Sequence, residues 1–119
     1  MGTLATGTVV TVPFPFTDLS QSKLRPAMVL AGIGRDDWIL CQITSNPYSD
    51  PKAVVITDES FAKGSLQITS YARPGKLFTA NRQLVVTNVG LLKKEVLEKV
   101  VDAVIEILKS GLAARTNVP

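Results

Sequence analysis

Apolar and polar residues alternate along most of the chain up to Val89, and the period then changes to a helical one. Thr8 to Phe14 places Val10, Val12 and Phe14 on one face and reads as a strand, whose end Pro13 and Pro15 confine to an edge or exit. Thr17 to Leu24 is polar, with Asp18 and Ser20 as turn formers, and predicts an exposed loop. A second strand is expected over Pro26–Ala31 and a tight connection over Gly32–Asp37. A third strand follows over Trp38–Thr44, with Ile39, Cys41 and Ile43 opposite Leu40, Gln42 and Thr44.

Ser45–Pro51 has loop composition, and Ala53–Ile56 is a short strand. Leu66–Tyr71 and Lys76–Ala80 read as two further strands separated by Ala72–Gly75, and a short segment, Val85–Val89, leads into Gly90. From Leu92 to Leu108 a stripe of Leu92, Val96, Val100, Val104 and Leu108, broadened by Leu97, Val101 and Ile105, predicts an amphipathic helix with its apolar face on the core and Gly111 as its stop. The expectation is a mainly β fold with a C-terminal helix, a small, strongly bent antiparallel barrel formed as one domain over residues 1–119.

Composition narrows the chemistry. There is no histidine, which excludes histidine acid–base catalysis, Ser/His and Cys/His nucleophile pairs, and histidine metal sites. The one cysteine, Cys41, cannot form an intrachain disulfide or hold zinc alone, which suits a reducing cytoplasm. Cys41 alternates with two isoleucines and is expected to be a buried strand residue. No signal sequence is read at the N-terminus, and the apolar runs are too short to span a bilayer. The formal charge of +3 permits an anionic partner such as nucleic acid without requiring one.

Four blocks in this order carry a family resemblance. GTVVTVPFPFTDLSQSKLRPAMVL, from Gly7, resembles the opening of MazF/PemK toxins: a Gly-x-Val strand, a Pro-Phe-rich segment, a polar loop, and entry to strand two through Arg-Pro. WILCQITS resembles that family's third strand, ending in Thr-Ser. GSLQITSYARPGKLFTANRQLV resembles its Ser-x-x-Arg segment, and Val89–Leu92 with the helix behind it resembles its closing element. The resemblance implies an SH3-like (PemK-like) barrel, a homodimer, cleavage of single-stranded RNA without a cofactor or metal, and a cognate antitoxin as partner. It further implies that Arg25 and Thr44 form the central catalytic pair and that Arg73 stabilises the phosphoryl group or protonates the leaving group. Many members carry an acidic residue just after that arginine. Here Pro74 and Gly75 follow, leaving the general base unassigned.

These residue types suit that chemistry. RNA cleaves when its own 2′-hydroxyl attacks phosphorus, so the enzyme must align the attack and neutralise charge. An arginine fork does the latter at any working pH. Pro26 forces Arg25 into extended geometry at a strand mouth, although an isolated Arg-Pro is more plainly a surface arginine entering a strand. Thr44 faces away from Cys41 and Ile43 and is expected to escape the core; a plain β-branched strand residue is the bland alternative. Lys23, Ser45 and Lys76 are candidate RNA contacts or simply solvated side chains, and Trp38 and Tyr48 can stack bases or pack. With no side chain titrating near neutrality, the expected rate climbs with pH rather than peaking, unless Asp18, Asp50 or Asp58 acts as a base with a raised pKa. Non-catalytic alternatives are an SH3-like module that binds RNA or protein, and a structural dimerisation domain.

Overall fold

The computed structural model describes residues 4–14 and 23–115. Of the expected polar loop, residues 17–22, Asp18 among them, lie outside the described residues. Seven strands follow in chain order: β1 (Thr8–Pro13), β2 (Leu24–Gly34), β3 (Asp37–Thr44), β4 (Val54–Ile56), β5 (Phe61–Gly64), β6 (Ser70–Asn81) and β7 (Thr87–Leu92). Among the described residues a single α-helix, α1 (Lys94–Arg115), comes after them. The strands make one sheet in the order β4-β6-β3-β2-β1-β7-β5, with every pairing antiparallel.

That order forces the sheet to curl. β4 and β5 are its two edges, yet only four residues, Thr57 to Ser60, separate them in the chain. Laid flat, seven strands would hold their outer members about 29 Å apart, six spacings of about 4.8 Å. The link from Ile56 to Phe61 reaches at most about 17 Å, so the edges must bend towards each other into a half-barrel. Period-two alternation divides the apolar residues accordingly. Val9, Met28, Cys41, Ile43 and Ala72 pack with Val100 of α1 on the helix side. Val10, Val12, Ala27, Val29 and Leu40 form a second cluster on the opposite face, where Phe14 meets Phe78 edge-on at 4.9 Å.

The expected elements are present, with four corrections. β2 and β3 run into each other through Arg35 and Asp36, both with positive φ (55° and 62°), so the connection is a two-residue hairpin turn rather than a six-residue segment. The two strands expected at Leu66–Tyr71 and Lys76–Ala80 reduce to one strand, β6, which starts only at Ser70, so Leu66–Thr69 are not strand. It carries a large bulge, in which Ile43 pairs with Ala72 and Cys41 with Leu77 and Gln42 alone opposes Arg73–Lys76. Pro74, which has no ladder hydrogen to give, sits buried in that bulge.

The helix does not stop at Gly111, which has open space around it and continues as helix to Arg115. Nor is its whole stripe a core face. Val100 is fully buried and Val96 and Leu97 pack on the core, but Ile105 is 44% and Leu108 65% exposed, with Leu112 at 71% beyond them. α1 makes most of its contacts with β6 and β4, and its later turns keep Ile105, Leu108 and Leu112 uncovered. Among the described residues no helix is long and apolar enough to cross a membrane.

Candidate active site

β2, β3 and β6 are neighbours in the sheet, and their registers bring the three sequence-predicted catalytic residues to one region. Ala27 with Gln42 is the last pair of the β2–β3 ladder at this end, and that register, continued two residues on each strand, would set Arg25 opposite Thr44. Thr44 pairs in turn with Tyr71. Arg25 shares the parity of Ala27 and Val29, Thr44 that of Leu40, and Arg73 alternates with buried Ala72. Arg25 and Thr44 therefore lie on the sheet face away from α1, while Arg73 stands at the start of the β6 bulge, two residues from the partner of Thr44, with β2 and β6 about 10 Å apart.

Arg25 is half-buried at the mouth of β2, where it pairs with Val12 of β1. Thr44 is on the expected face but does not escape the core: it is only 8% exposed. The cause is the loop that follows. The Asn46 amide donates to Thr44 Oγ1 at 3.2 Å and folds the chain back over the threonine, leaving the hydroxyl hydrogen for an outside acceptor. Lys23, Ser45 and Lys76 are all exposed, Lys23 just before β2, Ser45 just after β3 and Lys76 on the bulge of β6.

Arg73 stands in the densest set of contacts. Its Nε donates to Asp50 Oδ2 at 3.1 Å, and both side chains are largely covered, at 19% and 14% exposure. Its guanidinium lies over the Tyr48 ring, 5.3 Å from the centroid. The bulge removes its carbonyl from the β3 ladder, and the Cys41 thiol donates to that oxygen at 3.1 Å. Cys41 is fully buried, as expected, and burial pushes its pKa up to about 12, so it is not a nucleophile at neutral pH.

The pairing of Asp50 with Arg73 is what sequence reading missed, since the sequence offered Asp50 only as a possible base. Asp50 was one of three carboxylates nearby in sequence, with no sign of which arginine it meets. Partial burial works against its charged form, but the Lys52 amide, donating to Oδ1 at 2.9 Å, and the Arg73 guanidinium outweigh that, and its pKa is lowered. A carboxylate so held is a poor general base. Asp58 is exposed and bonded to the Ser65 hydroxyl on the link between β4 and β5. Trp38 serves packing: its ring lies against Gly32, where an added Cβ would come within 3.3 Å of it, and Tyr48 is the exposed aromatic, at 60%.

Because Asp50 is held below the unfolded carboxylate value of about 3.9, its pairing stabilises the fold fully above that value. The contribution is lost as pH falls through the folded pKa. Below pH 4, Asp50→Asn should therefore converge on the wild-type melting temperature, having been less stable at pH 7. A constant gap between the two at both pH values would contradict this.

The sequence matches a family described as PemK-like, MazF-like toxins of type II toxin–antitoxin systems over residues 5–108. No match was found among curated proteins. Among solved structures, MazF from Deinococcus radiodurans superposes with a TM-score of 0.72 at 18% identity, covering 92% of this chain and 99% of that one. A chain from the MazE–MazF complex of the same organism gives 0.73 at 17%, covering 92% and 98%. A mycobacterial endoribonuclease in complex with its cognate antitoxin gives 0.69 at 13%, covering 92% and 96%. At these identities the superpositions speak for the fold, a mostly β half-barrel with one C-terminal helix. The family match spans most of the sequence, and the chain belongs to the PemK-like, MazF-like toxins of type II toxin–antitoxin systems.

Proposed function

We propose that this chain, as one domain, is a sequence-selective endoribonuclease of the mRNA interferase type, cleaving single-stranded RNA without a metal. The observation that supports this reading is the placement of Arg25, Thr44 and Arg73 on three strands that are neighbours in the sheet, β2, β3 and β6. The RNA 2′-oxygen attacks the adjacent phosphorus as its proton passes to solvent. The bond to the 5′-oxygen breaks and that oxygen takes up a proton, giving a 2′,3′-cyclic phosphate and a 5′-hydroxyl. Arg25 grips the non-bridging oxygens through its two-pronged fork, and the Thr44 hydroxyl donates to the same phosphate. Arg73 meets the charge developing on the departing side. Lys23, Ser45 and Lys76, all exposed near these residues in the chain, hold the flanking phosphates. The sequence offers no histidine, and among the described residues no three Asp, Glu or Cys side chains gather as metal ligands.

The active species in this reading is a homodimer in the cytoplasm. Its support is the uncovered apolar row on α1, where Ile105, Leu108 and Leu112 recur at spacings of three and four, continued inward by half-buried Val101, a seam suited to a second helix. A cognate antitoxin restrains the toxin by laying an acidic or apolar segment across the RNA groove, so RNA and antitoxin compete.

Incubation of end-labelled single-stranded RNA with the protein in EDTA tests the reading. Discrete cuts ending in a cyclic phosphate are expected, from a species of twice the 12.8 kDa chain mass. Cleavage that vanishes in EDTA and returns with magnesium overturns the metal-independent reading. Retention of RNA without cuts makes the chain a binding module, and a monomer at micromolar concentration removes the dimer.

A further inference from the structure

The segment from Thr44 to Lys52 is a relay of short hydrogen bonds rather than a slack loop. Asn46 donates its amide to the Thr44 hydroxyl, and its own side-chain oxygen accepts the Tyr48 amide at 2.9 Å. The Asp50 amide then donates to the Pro47 carbonyl at 2.9 Å, and the Ala53 amide to the Asp50 carbonyl at 3.2 Å. Tyr48 and Ser49 both adopt positive φ (53° and 59°), a conformation disfavoured for either residue, and these bonds hold it. The left-handed pair reverses the chain, and the reversal delivers two side chains to Arg73: the Tyr48 ring beneath its guanidinium and the Asp50 carboxylate against its Nε.

We propose that Asp50 is a positioning residue for Arg73, fixing the guanidinium against the Tyr48 ring so that its two terminal nitrogens are presented to the RNA phosphate. This inference rests on the ribonuclease reading given above. The assignment of roles follows from which atoms are engaged. Asp50 spends one oxygen on the Lys52 amide and the other on Arg73 Nε, so it is locked to its own loop while it holds the arginine. An Nε contact uses the inner side of the guanidinium and leaves both terminal nitrogens for a ligand. With the ring covering one planar face, the guanidinium has lost its freedom to rotate before substrate arrives, which is the preorganisation that phosphoryl chemistry rewards. The same relay begins at Thr44, so one stretch of chain fixes both the hydroxyl and the arginine.

The variant to make is Asp50→Asn, which keeps an oxygen for the Lys52 amide and removes the charge facing Arg73. Single-turnover cleavage should fall about tenfold or more, with little change in RNA affinity. In an Arg73→Ala background the same substitution should cost less than about twofold, because the group it positions is gone. A full tenfold loss in that background overturns the proposal, since Asp50 would then act independently of Arg73. A second readout does not need activity. The Nε–H of Arg73 should give a resolved, slowly exchanging NMR signal in the wild type that is lost in Asp50→Asn. Equally fast exchange in both overturns the proposal. If the wild type cleaves no RNA, the ribonuclease reading has failed, and the exchange measurement alone decides whether Asp50 holds Arg73.

Discussion

Arg25→Ala should abolish RNA cleavage for practical purposes, lowering the rate by about a hundredfold to a thousandfold, while the melting temperature moves by no more than about 2 °C. On the proposed mechanism, the first half follows from losing a charged donor to a phosphate that gains charge as it reacts, worth about 3–4 kcal/mol where one well-placed donor is removed. The second half follows from where Arg25 sits. It is half-buried at the opening of β2, next to Pro26, and belongs to neither apolar cluster. Substitutions at such places typically change stability by about 0.5 kcal/mol, or roughly 2 °C in a chain of this size. Arg25→Lys separates charge from geometry: it keeps the cation and loses the fork, so its rate should fall between the other two. Thermal melts and single-turnover rates on the same preparations check both halves. A fall of about 10 °C in Arg25→Ala would make the arginine structural.

Gly64→Ala should be the most damaging single methyl group in the fold. β5 is tied to β7 by a pairing in which Gly64 faces Gly90, and each glycine lies almost against the other strand's backbone. A Cβ on Gly64 would lie 2.2 Å from the Val89 carbonyl oxygen and 2.7 Å from the Gly90 Cα, and Gly64 also has a φ of +80°. The left-handed conformation alone costs an added side chain about 1–2 kcal/mol. The clash is with backbone, which cannot turn aside as a flexible side chain would, so the strands must part. A total loss of about 3 kcal/mol or more is expected, seen as a fall of roughly 12 °C in melting temperature. Gly34→Ala supplies the comparison, because Gly34 has a φ of +103° but nothing within 4 Å of an added Cβ. It should show the conformational cost without the clash. Equal losses at the two positions would mean that close approach contributes nothing.

Reading by alternation works where a strand is half-covered and fails where something distant decides. β1 and β3 are legible because Val10 and Val12, or Cys41 and Ile43, must face a core, and the face assigned to Thr44 follows from the same parity. β5 has the sequence Phe-Ala-Lys-Gly, with three of its four residues exposed, so no apolar pattern marks it. It exists because two glycines let backbones approach, a property of the pair and not of either segment. The continuity of β6 through Arg73-Pro74 was hidden for the opposite reason: proline and glycine mark breaks locally, while pairing with β3 on both sides of the bulge carries the strand across. Arg25 and Thr44 could be singled out through their place in the family's blocks. Asp50 could not, since 23 positions separate it from Arg73 and only the folded loop joins them. Thr44 was misjudged as open because alternation gives a face but does not show what the next loop lays over it.

The pairing of β1 with β7 sets a limit on when, during synthesis, the sheet can close. Thr8 of β1 pairs with Leu91 of β7, so β1 waits for a strand made about eighty residues later before it is held on both sides. The Leu92 amide also closes back onto the Gly7 carbonyl. Contacts so remote in sequence form slowly, on the scale of about milliseconds to seconds for β-rich folds of this kind. A ribosome that stalls or terminates before β7 therefore releases a chain that contains Arg25, Thr44 and Arg73 but no barrel to hold them together. Interrupted translation before β7 yields fragments in which β1 has a partner on one side alone.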